Sequence, residues 1–82
     1  MTLHLEFKNF DAVHTRLALI VNGAQAGEFT MRNAAAIWFD RLLLAGSQAL
    51  RRNEEGEFDY EASGKPPVVS PMELENEATA GR

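Results

Sequence analysis

The sequence predicts an α+β fold: a small antiparallel sheet in the order β-β-β-α-β, with one long helix packed on one face. Three observations predict it. The first residues alternate apolar and polar with a period of two, an Asn-Gly pair separates two further alternating runs, and a long stretch of strong helix formers follows Asn33. Strands followed by a helix, without regular βαβ alternation, place a chain in the α+β class.

The first strand is read in "MTLHLEFKNF", where Leu3, Leu5 and Phe7 alternate with His4, Glu6 and Lys8. "NFDAVH" breaks the pattern and turns the chain. Alternation resumes from Thr15 to Val21, with Leu17, Leu19 and Val21 on one face and Arg16, Ala18 and Ile20 on the other. Both faces are largely apolar, which marks a central strand.

"VNGAQAGEFTM" holds two glycines, Gly23 and Gly27, and invites comparison with a phosphate-binding loop. Such a loop needs four residues between its glycines and then Lys with Ser or Thr opening a helix. Here the gap is three and Glu28 follows, so the run reads instead as a type I′ hairpin turn at Asn22–Gly23. That turn pairs Val21 with Ala24 and Leu19 with Ala26, but continued unbroken it puts Phe29 on the wrong face. A bulge at Gly27 is expected to correct this, bringing Leu19 opposite Phe29 and Leu17 opposite Met31.

A third strand runs through "EFTMR" to Asn33, a good N-cap for "AAAIWFDRLLLAGSQALRR". Wound at a helical period, this run is expected to turn Trp38, Phe39, Leu42, Leu43, Ala45, Ala49 and Leu50 toward the sheet, with Gly46 allowing close approach. Arg51 and Arg52 suit the negative end of the helix dipole, and Gly56 suits its stop. "EFDYEA" then alternates as a fourth, edge strand, with Phe58, Tyr60 and Ala62 inward and Glu57, Asp59 and Glu61 outward.

These readings divide the chain into an α+β domain over 1–63 and an acidic, Pro-containing tail over 64–82, expected to be mostly disordered. Within the tail, Ser70, Pro71 and Glu73 form a capping-box pattern, so a short helix from about Pro71 to Thr79 is expected to form on a partner.

Composition narrows the function classes. There are 82 residues, 45% hydrophobic and 24% charged, which suits one globular domain. No apolar run approaches the ~20 residues of a membrane span, and "MTLHLEFKNF" lacks the continuous apolar core of a secretion signal. The absence of cysteine removes disulfides, thiolate metal sites and cysteine nucleophiles, so a cytoplasmic protein is expected. A net charge of −4 weighs against direct nucleic-acid binding.

Candidate chemistry is sparse. His4 and His14 are the only histidines, and neither gathers the three or four ligands zinc requires, so no metal and no cofactor is expected. Glu57, Asp59 and Glu61 form an acidic comb with neighbours ~6.6 Å apart. A catalytic carboxylate pair at such spacing also needs one member raised by burial, which an exposed comb does not supply. The comb reads as protection of a sheet edge or as an electrostatic binding surface.

The stronger feature is a line along the other side of the helix: Ile37, Arg41, Leu44, Gln48 and Arg51 advance by steps of four and three. Large aliphatics flanked by arginines resemble a contact surface. The sequence therefore points to a non-enzymatic protein-binding module of the inhibitor or adaptor type, for instance one carried by a phage against a host defence or nucleic-acid enzyme. Its partner would be a foreign protein or a second copy of the chain. The alternative is a small dimeric, DNA-binding transcriptional regulator, although a ribbon-helix-helix arrangement would need a second helix soon after the first.

Overall fold

Two hairpin steps set the direction of every later element. β1 (Thr2–Phe10) pairs antiparallel with β2 (His14–Val21), and β2 pairs antiparallel with β3 (Ala24–Arg32). β3 therefore runs parallel to β1. α1 (Asn33–Asn53) carries the chain back along the sheet, so β4 (Asp59–Gly64) must run in the direction of β3. It adds beside β1, in parallel, and the strand order is β3-β2-β1-β4. The sheet is thus mostly antiparallel, with β4 the parallel exception at its edge. The chain closes with α2 (Pro71–Ala80). The computed structural model describes residues 1–53 and 58–80, without the side chains of residues 51–53.

The hairpin turn forms where Asn-Gly predicts it. Asn22 and Gly23 take φ of 50° and 83°, and Val21 pairs with Ala24. Asn22 also ties the turn to β1, accepting from the Thr2 N–H through its side chain and donating its own N–H to the Thr2 carbonyl. The bulge is present but displaced. Leu19 pairs with Gly27 and Ile20 with Gln25, so the inserted residue is Ala26. One inserted residue advances the register by one step, giving Leu17 opposite Phe29 and Thr15 opposite Met31 rather than the expected pairs. Gly27 has a different use: a Cβ there would stand 3.0 Å from the Phe29 ring.

The core lies between one face of the sheet and α1. Leu5, Phe7, Leu17 and Ala36 are buried together, with Leu19, Met31, Phe39, Leu43 and Tyr60 packed around them. This corrects the expected inward stripe of α1. Leu42 is 67% exposed and Ala45 is exposed, while Ala36, Phe39, Leu43 and Ser47 take the sheet side. Two hydrogen bonds account for that rotation. The Tyr60 hydroxyl donates to Asp40 at 2.5 Å, and the Ser47 hydroxyl donates to the Phe58 carbonyl at 2.6 Å. Both draw polar helix residues inward, which no apolar periodicity announces. Gly46 sits near the Phe58 ring, but an added Cβ would meet it at 3.6 Å, an ordinary contact. Close approach therefore does not require that glycine.

β4 covers Asp59–Gly64, two residues beyond the expected span at its C-terminal end. It must end in glycine. Gly64 has φ of 85°, and a Cβ there would fall 2.1 Å from the Phe7 carbonyl oxygen. The expected helix stop at Gly56 lies outside the described residues.

Asn33 opens α1 and is buried. Its side chain accepts from the Thr15 hydroxyl at 2.6 Å and donates to the Asp11 carbonyl at 3.1 Å. Its N–H donates to the Val13 carbonyl. The residue expected as a helix cap thus clamps the β1–β2 loop to the start of α1. Asp11 shapes that loop, accepting from the N–H groups of Val13 and His14 at 2.8 Å each. Those two bonds, His14 first, hold its carboxyl below the usual range.

Candidate functional site

α2 forms within the acidic 64–82 segment expected to be mostly disordered, with bounds close to those of the expected helix. Its start follows the capping pattern: Pro71 opens it and the Glu73 N–H donates to the Ser70 hydroxyl at 3.2 Å. The surface it folds against belongs to the same chain. α2 packs on α1, where the Trp38 indole N–H donates to the Leu74 carbonyl at 2.7 Å. Arg32, at the end of β3, pairs with Glu77 at 2.7 Å.

Beside this contact lies an open groove of about 470 Å³, lined by Met31, Ala35, Trp38, Phe39, Leu42 and residues of α2. Its walls are mainly apolar, and Leu42 stands largely in solvent. The Arg41 guanidinium lies over the Trp38 ring, 5.4 Å from its centroid. A second cleft, of about 350 Å³, opens at the start of α1, between Ala12, Val13 and Arg32 on one side and Glu73, Asn76 and Glu77 on the other. The first turn of α1 contains no acidic residue of its own. Carboxylates from α2 therefore supply negative charge near its positive end.

The helix line expected from the sequence is only partly brought together. Leu44 is 45% exposed, Ile37 is half-buried and Gln48 is exposed. At about 100° per residue, Leu44 stands about 200° from Leu42, so Ile37 and Leu44 occupy the flank of α1 away from the groove. Arg41 is drawn off this line toward Trp38. The Arg51 side chain lies outside the described residues.

Of the acidic comb, Glu57 lies outside the described residues, while Asp59 and Glu61 are exposed on β4. Glu61 pairs in register with His4, on the sheet face opposite α1. There His4 Nε2 lies 2.7 Å from the Ser63 hydroxyl. A Ser–His contact at that distance resembles an activated nucleophile. Acyl transfer also needs oxyanion donors in a water-excluding site, and this pair sits on an open sheet face bearing Glu6, Lys8, Arg16 and Glu28. Its visible work is to link β4 to β1.

Among the described residues no group of three or more His, Asp or Glu could hold a metal ion. No described helix is long and apolar enough to cross a membrane. His14 is exposed beside the Asp11 turn.

No family model, curated protein or solved structure matches this chain.

The sequence reading missed the groove because it assigned Trp38 and Leu42 to the sheet. One signal was present. The capping box predicts α2, and Leu74 and Ala78 share one face of that helix at a spacing of four. A short helix with such a stripe needs an apolar surface, and α1 carries more apolar residues than one sheet can cover.

Proposed function

We propose that the protein is a non-enzymatic protein-binding module that uses α1 as its recognition element. One observation carries this reading: α1 leaves large aliphatic side chains in solvent on both flanks, Leu42 at 67% and Leu44 at 45% exposure. Isolated exposed leucines are common, but Leu42 has Trp38 one turn away in the same groove, and Leu44 shares its helix flank with Ile37 two turns away. A partner burying either flank would gain ~25 cal/mol for each Å² of apolar surface removed from water.

The test starts with native mass by light scattering across a wide concentration range, on the wild type and on Ile37→Asp/Leu44→Asp. A dimer broken by the substitutions assigns the Leu44 flank to self-association. A monomer that captures a protein, lost in the variant, assigns that flank to a foreign partner. If both chains stay monomeric and neither this variant nor Leu42→Asp alters what is captured, α1 is not the recognition element.

A further inference from the structure

We propose that α2 is a displaceable strap, and that the groove it borders on α1 takes an acidic amphipathic helix of a protein partner in its place. This rests on the protein-binding reading and names the site and the chemistry of the occupant.

The first argument is how lightly α2 is held. None of its residues is buried. Beyond its cap at Ser70, α2 meets the rest of the described chain through an indole–carbonyl hydrogen bond and an ion pair, in which the Arg32 side chain is 62% exposed and that of Glu77 19%. An ion pair whose cation stands in solvent contributes modestly and weakens with salt. A helix of ten residues is also marginal alone in water. Undocking therefore unfolds it, and docking and helicity form one equilibrium.

The second argument is that α2 displays the chemistry its surface accepts. Leu74, Glu77 and Ala78 fall at positions i, i+3 and i+4, on one face of the helix. Glu77 and Ala78 border the apolar groove, and Glu77 meets Arg32 at one end. The start of α1 adds the positive end of a helix dipole, and Glu73 lines the cleft beside it. An apolar groove with a cation and a helix N-terminus at one end suits a helix carrying an aliphatic stripe and acidic residues at its edge.

The third argument is that the groove stays open with α2 in place. Leu42, Trp38 and Met31 present an apolar wall that α2 covers only in part. A longer or bulkier helix would cover what α2 leaves bare. The connection from Gly64 to Ser70 contains Pro66 and Pro67, so α2 is tethered by a short, stiff link. Tethering raises its effective concentration at the groove, so weak contacts can compete with a partner.

The test uses full-length chains and a fluorescently labelled peptide of residues 69–80 as the probe. In Leu74→Asp/Glu77→Arg the strap should leave. Emission from Trp38, the only tryptophan, should shift to the red with increased acrylamide quenching, while circular dichroism loses about one short helix and retains the sheet. The milder Glu77→Gln should move Trp38 emission in the same direction by less, and added salt should do the same to the wild type. The peptide should then bind the double variant about tenfold more tightly than the wild type, because its competitor has been removed. Adding Arg32→Glu should abolish that gain.

Unchanged Trp38 emission and quenching in both variants would overturn the strap. A clear Trp38 change with no gain in peptide binding would overturn the groove as an acidic-helix site. These substitutions leave Ile37 and Leu44 untouched, so failure here leaves the binding test on that flank to be read by itself.

Discussion

The indole N–H of Trp38 donates to the backbone carbonyl of Leu74 at 2.7 Å, across the junction of α1 and α2. A tryptophan N–H has no acceptor on its own helix once backbone bonding is complete, so its partner fixes where α2 sits. Replacing Trp38 by Phe keeps an aromatic ring and removes the donor. The expected result is faster amide exchange throughout α2 with sheet amides unchanged, a loss of about 1 kcal/mol in local stability.

Tyr60 and Asp40 form the corresponding link between β4 and α1. Burial first, and then the hydrogen bond and charge of Asp40, push the Tyr60 phenol well above its ordinary value of 10.0. The neutral form is the one the fold favours. Its contribution is fully present below the ordinary tyrosine value and is lost as pH rises above it toward the folded value. Unfolding by denaturant at several alkaline pH values should show falling stability in the wild type. Tyr60→Phe should cost about 1–2 kcal/mol at neutral pH and flatten the alkaline decline.

Thr15 is fully buried and donates to Asn33. Thr15→Val preserves shape and leaves the Asn33 side chain short of a partner. A loss of about 1–3 kcal/mol is expected, measured by urea unfolding. Parallel loss of order in the Asp11–His14 loop, read from amide exchange, would show that the clamp acts as a unit.

Two glycines should respond to alanine with opposite signs. Gly64→Ala places a Cβ against the Phe7 carbonyl at a positive φ, and a loss on the order of 3 kcal/mol is expected. Gly46→Ala meets only an ordinary contact inside a helix and should stabilise by roughly 0.5–1 kcal/mol. Thermal melts of both variants beside the wild type settle the comparison.

The Asp11 carboxyl is held below its ordinary value of 3.8 by the N–H groups of His14 and Val13. A depressed folded value gives stability that is present above the ordinary value and lost as pH falls through the folded one. Asp11→Asn should therefore show a weaker dependence of stability on pH below about 4 than the wild type.

What the sequence by itself determined is local. Positive φ at Asn22–Gly23, the alternation of β1 and β2, the long helix and the Ser70–Glu73 cap each follow from a few neighbouring residues. Even the direction of β4 is implicit, since two antiparallel steps and one helical return leave it only one way to run.

Tertiary structure decided the rest, for identifiable reasons. α1 is apolar around most of its circumference, so periodicity could not choose which side meets the sheet. The hydrogen bonds of Asp40 to Tyr60 and of Ser47 to Phe58, between residues far apart in sequence, made that choice. Turning those polar groups inward moved Trp38 and Leu42 out of the core and onto the flank where α2 docks. The candidate groove is a consequence of that rotation. The identity of its walls is written in the chain, but their meeting depends on which partners beyond the helix satisfy the buried Ser47 and the half-buried Asp40.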